Sequence, residues 1–299
     1  MIYLGDEEDI IDPHRYYEQH NISKDSFFSI RDTEETSHRK IFNKFSGIQK
    51  NKERPTFSVS FGETIVPIYE TMTQNKLIYS TRHKNFWHYL PDKAAIRKVE
   101  AWEQQQNLRV FLKDNLFSSI ALDLYEDKTK QRPATAFYYL KYARISGEAY
   151  KKTLTWTANE FVRTIQSLPF YKDCKYISAV PPRPGKKGLD LPALLATEIS
   201  KKLIIEGITS TFQYTGEKAQ GKTLSRDDKW AAWEAAGLSC TKDLEGKDVI
   251  LIDDLYQSGI SVNFVGMKLQ EANCGKICGL YIVKSLNDKD NIQRTPGSE

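Results

Sequence analysis

The chain has 299 residues, of which 40% are hydrophobic and 27% charged, the balance of a globular protein rather than a disordered one. Its net charge of +4 is too small to indicate nucleic-acid binding by itself, because phosphate binding needs clustered Lys and Arg. No stretch approaches the roughly 18 uninterrupted apolar residues of a membrane-spanning helix, and the acidic N-terminus lacks the layout of a secretion signal. We therefore expect a cytoplasmic protein without a membrane partner.

Histidine and cysteine are segregated along the chain. All 5 histidines lie in the N-terminal half and all 4 cysteines in the C-terminal half. A zinc site would require the two halves to converge, and no ligand pair has zinc-finger spacing. Cys274 and Cys278 stand close together, and we interpret them as small buried residues with free thiols rather than as a metal or redox pair.

Residues 1–130 are predicted to form an α+β N-terminal region of unassigned role. Its predicted elements are short helices at 14–19 and 38–45 and short strands at 57–61, 64–69 and 77–81. After Pro91, apolar residues recur at roughly helical spacing as far as Ile120, with an interruption at the glutamines 104–106, so we predict a helical stretch there.

The segment RHKNFWHYL (82–90) alternates basic and aromatic residues. Such a segment could stack on bases and contact phosphates. The alternative is a half-buried strand or the edge of a helix. We therefore keep a nucleic-acid or protein partner of the N-terminal half as a hypothesis.

The polar run EDKTKQRPAT (126–135) is the best candidate for a domain boundary. We predict a second domain at 131–286 and a flexible tail at 287–299. Its predicted elements are helices at 154–165, 191–205 and 261–272 and strands at 176–180, 249–252 and 279–283. Alternating strands and helices of this length indicate an α/β fold with a parallel sheet.

The segment VILIDDLYQSGISVNF (249–264) carries the candidate chemistry. A buried strand ends in Asp253 and Asp254 and leads through a loop into a helix, whose N-terminus suits a phosphate. Gly259 would let the backbone approach that phosphate. The aspartates would repel it, so we expect them to bind ribose hydroxyls directly or through a metal. Alternatively, the aspartates merely end a strand and Ser261 merely caps a helix.

This segment resembles the signature of type I phosphoribosyltransferases that binds phosphoribosyl diphosphate (PRPP). The resemblance implies a phosphoribosyltransferase-type domain in which Asp253 and Asp254 are catalytic, contact the ribose 2′ and 3′ hydroxyls and hold Mg²⁺, directly or through water. The residues implied to bind PRPP are Tyr256, Gln257, Ser258, Gly259, Ile260 and Ser261. Gln257 departs from the family pattern, which usually has a hydroxyl residue there.

Residues 177–202 resemble the ComF-like branch of that family, in which a strand ends in Val-Pro and leads through basic residues to a glycine turn and a helix. The resemblance implies that Arg183, Lys186 and Lys187 bind the diphosphate. Residues 217–230 resemble a mobile ComF-like loop that closes over the diphosphate. This second resemblance implies that Lys222 is catalytic and that Arg226 contacts the diphosphate. Each basic cluster could instead be a solvated loop.

The implied activity is Mg²⁺-dependent transfer from, or cleavage at, the ribose anomeric carbon of PRPP or a related ribose 5-phosphate ligand. The C-terminal half contains no histidine, so no histidine base can be named there for the incoming nucleophile. The alternative is a non-catalytic or repurposed regulator or effector that binds PRPP or a nucleotide, such as a DNA-uptake accessory or an anti-phage protein of the retron type. A homo-oligomer is compatible with either reading.

Overall fold

The computed structural model describes residues 13–31, 42–45, 47–50, 54–81, 83–125, 132–143, 146–182, 184–185, 188–216 and 224–285. The α-helices in these ranges are α1 (Lys24–Arg31), α2 (Val66–Thr73), α3 (Lys93–Gln106), α4 (Arg132–Lys141), α5 (Gly147–Ser167), α6 (Leu191–Leu203), α7 (Arg226–Ala235) and α8 (Ile260–Glu271). The strands are β1 (Phe42–Asn43), β2 (Thr56–Val59), β3 (Ile78–Ser80), β4 (Asn85–Tyr89), β5 (Val110–Leu112), β6 (Ser118–Tyr125), β7 (Tyr176–Ala179), β8 (Glu206–Gly207), β9 (Phe212–Tyr214), β10 (Leu238–Cys240), β11 (Val249–Tyr256) and β12 (Ile277–Ser285).

A mostly parallel sheet forms the centre of the molecule. Its 7 strands lie in the order β1-β5-β6-β12-β11-β7-β8. Five neighbouring strands of this order, β6-β12-β11-β7-β8, run parallel to one another. β5 is antiparallel to β6, and the edge strand β1 is antiparallel to β5. The apolar runs of β11 and β12 are buried, as expected for strands covered on both faces. The predicted α/β class with a parallel sheet is therefore confirmed.

Helices cover both faces of this sheet. On one face, Ile250 and Ile252 of β11 belong to a core that includes Phe137 of α4 and Phe161 of α5. On the other face, residues 249 and 251 belong to a core built around Trp230 of α7 and Phe264 of α8. Burial on both faces fixes β11 in the middle of the fold, and it is this strand that carries the two aspartates.

The N-terminal region is α+β, as predicted. Strands β2, β4 and β3 form a 3-stranded antiparallel sheet. The ring of Phe57 stacks on Tyr69 of α2 with centroids 4.5 Å apart, and the ring of Trp102 of α3 meets Tyr69 edge-on at 4.9 Å. These rings belong to the same hydrophobic core as the α4 face of the central sheet.

The strand predicted at 64–69 is wrong, because residues from Val66 onward form α2. The apolar, β-branched run resembles a strand. However, Pro67 lies in the first turn of the helix, where its fixed φ angle is favourable and its missing N–H costs nothing. Most residues of α2 are buried, so the sequence shows no amphipathic helical period.

The helical stretch predicted after Pro91 ends at Gln106, and the prediction beyond that point is wrong. Residues 110–112 and 118–125 form β5 and β6 of the central sheet. Asp114 shapes the turn between them, since its Oδ1 accepts a hydrogen bond from the Leu116 N–H at 3.0 Å. Fully buried strands give continuous apolar runs whose spacing can imitate a helix by coincidence.

Two further predictions concern short elements. The helix predicted at 38–45 is wrong at Phe42 and Asn43, which form β1, while residues 38–41 lie outside the described ranges. Within the segment 82–90, Asn85–Tyr89 form β4, whose Phe86 and His88 are buried. This agrees with the half-buried strand alternative, and Arg82 lies outside the described residues.

The predicted boundary near residue 130 stays a prediction. Strand β6 precedes that position and pairs with β12, so the central sheet includes strands from both sides of it. The tail predicted at 287–299 lies outside the described residues. Within the described ranges, no helix combines the length and hydrophobicity needed to cross a bilayer.

Candidate functional site

Asp253 and Asp254 lie in the carboxyl-terminal half of β11, beside the carboxyl end of β7. The last pair between β11 and its neighbour β7 is Ile252 with Ala179, whereas β11 continues beside β12 as far as Tyr256. The two aspartates are therefore inside the strand rather than at its end, just beyond the point where β7 stops. Crevices at this edge of a parallel sheet are where ligands bind in α/β proteins.

Asp254 is clamped by a lysine that the sequence did not reveal. Lys141, the last residue of α4, donates from its Nζ to both Oδ1 and Oδ2 of Asp254 at 2.7 Å. Burial works to lower the pKa of Lys141, but the Asp254 carboxylate opposes this and the net effect is a raised pKa. Lys141 therefore stays charged and neutralises Asp254.

Asp253 is in a different electrostatic state. Its side chain is half-buried, and its Oδ1 accepts a hydrogen bond from the backbone N–H of Asp254 at 2.8 Å. Burial, and then the neighbouring Asp254 carboxylate, raise the pKa of Asp253 to about 7, although Lys141 acts in the opposite direction. Near neutral pH this group can hold or release a proton, a property typical of functional carboxyls.

Gly259 forms the junction between the aspartate strand and α8. Its φ angle of 82° lies in the left-handed region, which strongly favours glycine. Its carbonyl accepts from the Asn263 N–H at 3.0 Å and from Asn263 Nδ2 at 2.9 Å. These contacts fix the start of α8, whose N-terminal dipole favours an anion.

The other predicted PRPP-binding residues differ in what they expose. Gln257 is exposed and Ser258 is almost fully buried. The side chains of Tyr256 and Ile260 pack in the core, with the Tyr256 ring 4.9 Å from that of Tyr281. Because those two side chains are buried, only the backbone groups of Tyr256 and Ile260 could contact a ligand.

Ser261 connects the start of α8 to α7. Its Oγ accepts a hydrogen bond from Trp233 Nε1 at 3.3 Å. The hydroxyl hydrogen of Ser261 can still be donated to an anion. Helix α7 begins at Arg226, inside the segment 217–230 predicted to be a mobile loop, so that prediction is wrong for residues 226–230. The Trp233–Ser261 contact links this helix to the junction at Gly259.

The predicted diphosphate-binding cations fall mostly outside the described residues. This applies to Arg183, Lys186, Lys187 and Lys222, whereas the backbone of Arg226 is described and begins α7. The described residues flanking the first of these loops lie close to the aspartates. Asp190 caps α6 by accepting from the Ala193 N–H at 3.2 Å, and its charge contributes to the raised pKa of Asp253.

The carboxyl pair fits Mg²⁺ only in part. Both oxygens of Asp254 already accept from Lys141, so Asp253 is the one of the two that could hold a metal-bound water. In the described ranges, no group of three His, Cys, Asp or Glu residues is placed to hold a metal. A Mg²⁺ ion brought in on a phosphate ligand, and keeping most of its waters, is the form that these residues suit.

No protein-family model and no curated protein matches this chain. Solved structures to which it is similar include adenine phosphoribosyltransferases from three organisms. For Leishmania donovani the identity is 10%, the TM-score 0.29, and the coverage 50% of this chain and 72% of that chain. For Leishmania tarentolae the identity is 10%, the TM-score 0.33, and the coverage 58% of this chain and 93% of that chain. For the Trypanosoma brucei enzyme, solved in complex with AMP, pyrophosphate and ribose-5-phosphate, the identity is 8% and the TM-score 0.31. The coverage is 58% of this chain and 89% of that chain. Similarity at this level carries no conclusion about what this chain binds.

Proposed function

We propose that this protein is a phosphoribosyltransferase-like enzyme that binds PRPP, or a related ribose 5-phosphate ligand, together with Mg²⁺. The observation that carries the proposal is the pair of unlike carboxyls at the sheet edge. Asp254 is neutralised by Lys141, Asp253 has its pKa raised to about 7, and the anion-favouring start of α8 follows directly. A sugar phosphate offers hydroxyls to the two carboxyls and a phosphate to the start of α8.

In this proposal the ribose hydroxyls donate to Asp253, whose carboxyl is oriented by the backbone N–H of Asp254. Lys141 neutralises the neighbouring Asp254. The 5-phosphate lies against the junction at Gly259, where backbone N–H groups and the Ser261 hydroxyl can donate to it. Bound Mg²⁺ would neutralise charge on the departing diphosphate. Arg183, Lys186, Lys187, Lys222 and Arg226 are the proposed protein contacts of that diphosphate.

Transfer or cleavage at the anomeric carbon develops positive charge on the ribose ring and negative charge on the leaving group. The protein contributes mainly by orienting the reactants and by stabilising these charges. The charged form of Asp253 lies close to the ribose and favours a cationic ring. Its protonated form would not do so, and the proposal therefore requires Asp253 to be ionised in the reacting complex.

A second candidate function is ligand binding without turnover. The observation that favours it is the ion pair itself, since both oxygens of Asp254 already accept from Lys141. A regulator or effector could use such a site to sense PRPP or a nucleotide. A role in DNA uptake or in anti-phage defence would take this form.

The proposal predicts that PRPP binds and that the double variant Asp253→Asn/Asp254→Asn loses this binding. Isothermal titration with PRPP, with and without Mg²⁺, is the measurement. Loss of charge-assisted hydrogen bonds to the ribose is expected to weaken binding by roughly 100-fold, at about 1.5–3 kcal/mol per bond. Asp173→Asn is the matched control, because Asp173 is an exposed carboxylate that precedes β7 and so lies toward the opposite edge of the sheet.

Equal binding by the double variant and the wild type would remove the site from Asp253 and Asp254. Absence of binding by folded wild-type protein would overturn the proposal altogether. Binding that depends on the carboxyls but yields no diphosphate release with any acceptor would favour the second candidate.

A further inference from the structure

A second cleft lies between α4 and α5, away from the aspartates. Its volume is about 420 Å³, within the range of small-molecule sites. Tyr139 and Arg132 of α4 form part of one wall, and Trp156 and Lys152 of α5 form part of the other. The cleft therefore brings two aromatic rings and two cations together from facing helices.

Exposed aromatic rings continue from this cleft to the end of α4 and the residue that follows it. Tyr138, Tyr139 and Tyr142 are 48%, 44% and 51% exposed, and the ring of Tyr138 is 5.9 Å from Tyr139 and 6.2 Å from Tyr142. Contiguous exposed aromatic side chains on a protein surface favour a binding surface over an ordinary solvated one. Single exposed tyrosines would not support that conclusion, but neighbouring ones do.

The charges at the cleft favour an anion. Arg132 is exposed, and its planar guanidinium suits a phosphate. Lys152 approaches Glu148 at 3.8 Å, with both side chains more than two-thirds exposed. A surface pair of this kind contributes little energy, so Lys152 can turn to a more highly charged partner. None of the described residues that line the cleft is acidic.

The cleft is separate from the carboxyl site. It is Lys141 that contacts Asp254, and Arg132 lies about 14 Å from Lys141 along the axis of α4. Tyr139 is only two residues from Lys141, but at about 100° per residue the two side chains leave α4 on nearly opposite sides. A ligand in the cleft would therefore occupy a site of its own, and the argument for it does not depend on the proposed function.

We propose that the cleft binds a nucleotide. The base stacks on Trp156 and Tyr139, because aromatic rings bind bases of any identity through their faces. The phosphate is held by Arg132 and Lys152. The nucleotide could be free or part of a single strand, and the exposed rings of Tyr138 and Tyr142 would accept the neighbouring bases of a strand.

Titration of the full-length protein with AMP, and separately with a short single-stranded oligo(dA), tests this proposal. Trp156→Leu and Arg132→Gln are each expected to weaken binding about 10-fold or more. Arg163→Gln is the matched control, because Arg163 lies on α5, is paired with Glu160 and does not line the cleft. Arg132→Gln removes only an exposed side chain, so it tests the cleft even if Trp156→Leu perturbs the packing.

Binding that both variants lose, and that the Asp253→Asn/Asp254→Asn variant keeps, would support the cleft. Tighter binding of oligo(dA) than of AMP would then identify a strand as the source of the nucleotide, and equal binding would identify free nucleotide. AMP binding that depends on the aspartates and not on Trp156 or Arg132 would overturn the proposal. So would the absence of binding by both ligands. PRPP binding should be unchanged by Trp156→Leu, which separates this result from the test of the carboxyl site.

Discussion

Replacement of Lys141 by methionine is expected to lower the free energy of unfolding by roughly 2–3 kcal/mol. The change leaves the Asp254 carboxylate, whose side chain is 11% exposed, without the ammonium that both of its oxygens accept from. Removing one partner of a fully buried pair costs about 3–5 kcal/mol. The loss expected for Lys141→Met is smaller than that range because the Lys141 side chain is 34% exposed. Thermal denaturation should show a decrease in Tm of about 1.5–2 °C per kcal/mol for a chain of 299 residues.

Lys201→Met is the matched control for this change. Lys201 pairs with Glu198 at 3.2 Å on the surface of α6, and such a pair contributes less than about 1 kcal/mol. The double variant Lys141→Met/Asp254→Leu should recover most of the loss, since it leaves no buried charge without a partner. If Lys141→Met and Lys201→Met have the same small effect, the ion pair does not hold the site together.

The aspartate segment shows how much of the site could be predicted from the sequence. The apolar run before Asp253, the following glycine turn and the next helix are local features, and each was found close to its predicted position. Burial of β11 on both faces explains this success, because a central parallel strand is coded by consecutive apolar residues. The prediction that the strand ends at the aspartates was wrong only because pairing with β12 extends it.

The role of Lys141 could not be predicted from the sequence. It lies 113 positions from Asp254 and ends a helix in which no pattern distinguishes it from a surface lysine. The packing of α4 against the sheet brings the two together, so the contact depends on tertiary structure alone. The errors at α2 and at β5 and β6 have another cause, because a continuous apolar run that is buried on all sides carries no period that distinguishes a helix from a strand.

Replacement of Asp253 by asparagine is expected to stabilise the folded protein at pH 8. Burial and the neighbouring Asp254 raise the pKa of Asp253 from an ordinary value of 3.8 to about 7. Between these values the folded state holds a proton that the unfolded state has lost, so the free energy of unfolding of the wild type falls as the pH rises. The whole shift corresponds to about 4 kcal/mol as an upper limit, and a half-buried group should show roughly 1–3 kcal/mol.

Tm measured at pH 5 and at pH 8 for both proteins checks this expectation. The advantage of Asp253→Asn should be smaller at pH 5, where only about a third of the penalty has built up because the carboxyl is still protonated when folded, and should reach its full size at pH 8. Asp243→Asn should act in the opposite direction, because the Glu245 backbone N–H and the Asn273 side chain lower the pKa of Asp243. If Asp253→Asn is less stable than the wild type at pH 8, the charged form of Asp253 does not destabilise the folded protein.

A carboxyl that destabilises the fold when charged is best explained by what it binds. Structural packing alone would favour an uncharged residue at position 253, whereas a ligand with donating hydroxyls would stabilise the charged form. Asp253→Asn should therefore combine higher stability without ligand and weaker PRPP binding in the same protein. If the variant gains stability and still binds PRPP as tightly as the wild type, the charge serves no ligand and the proposed role of Asp253 is wrong.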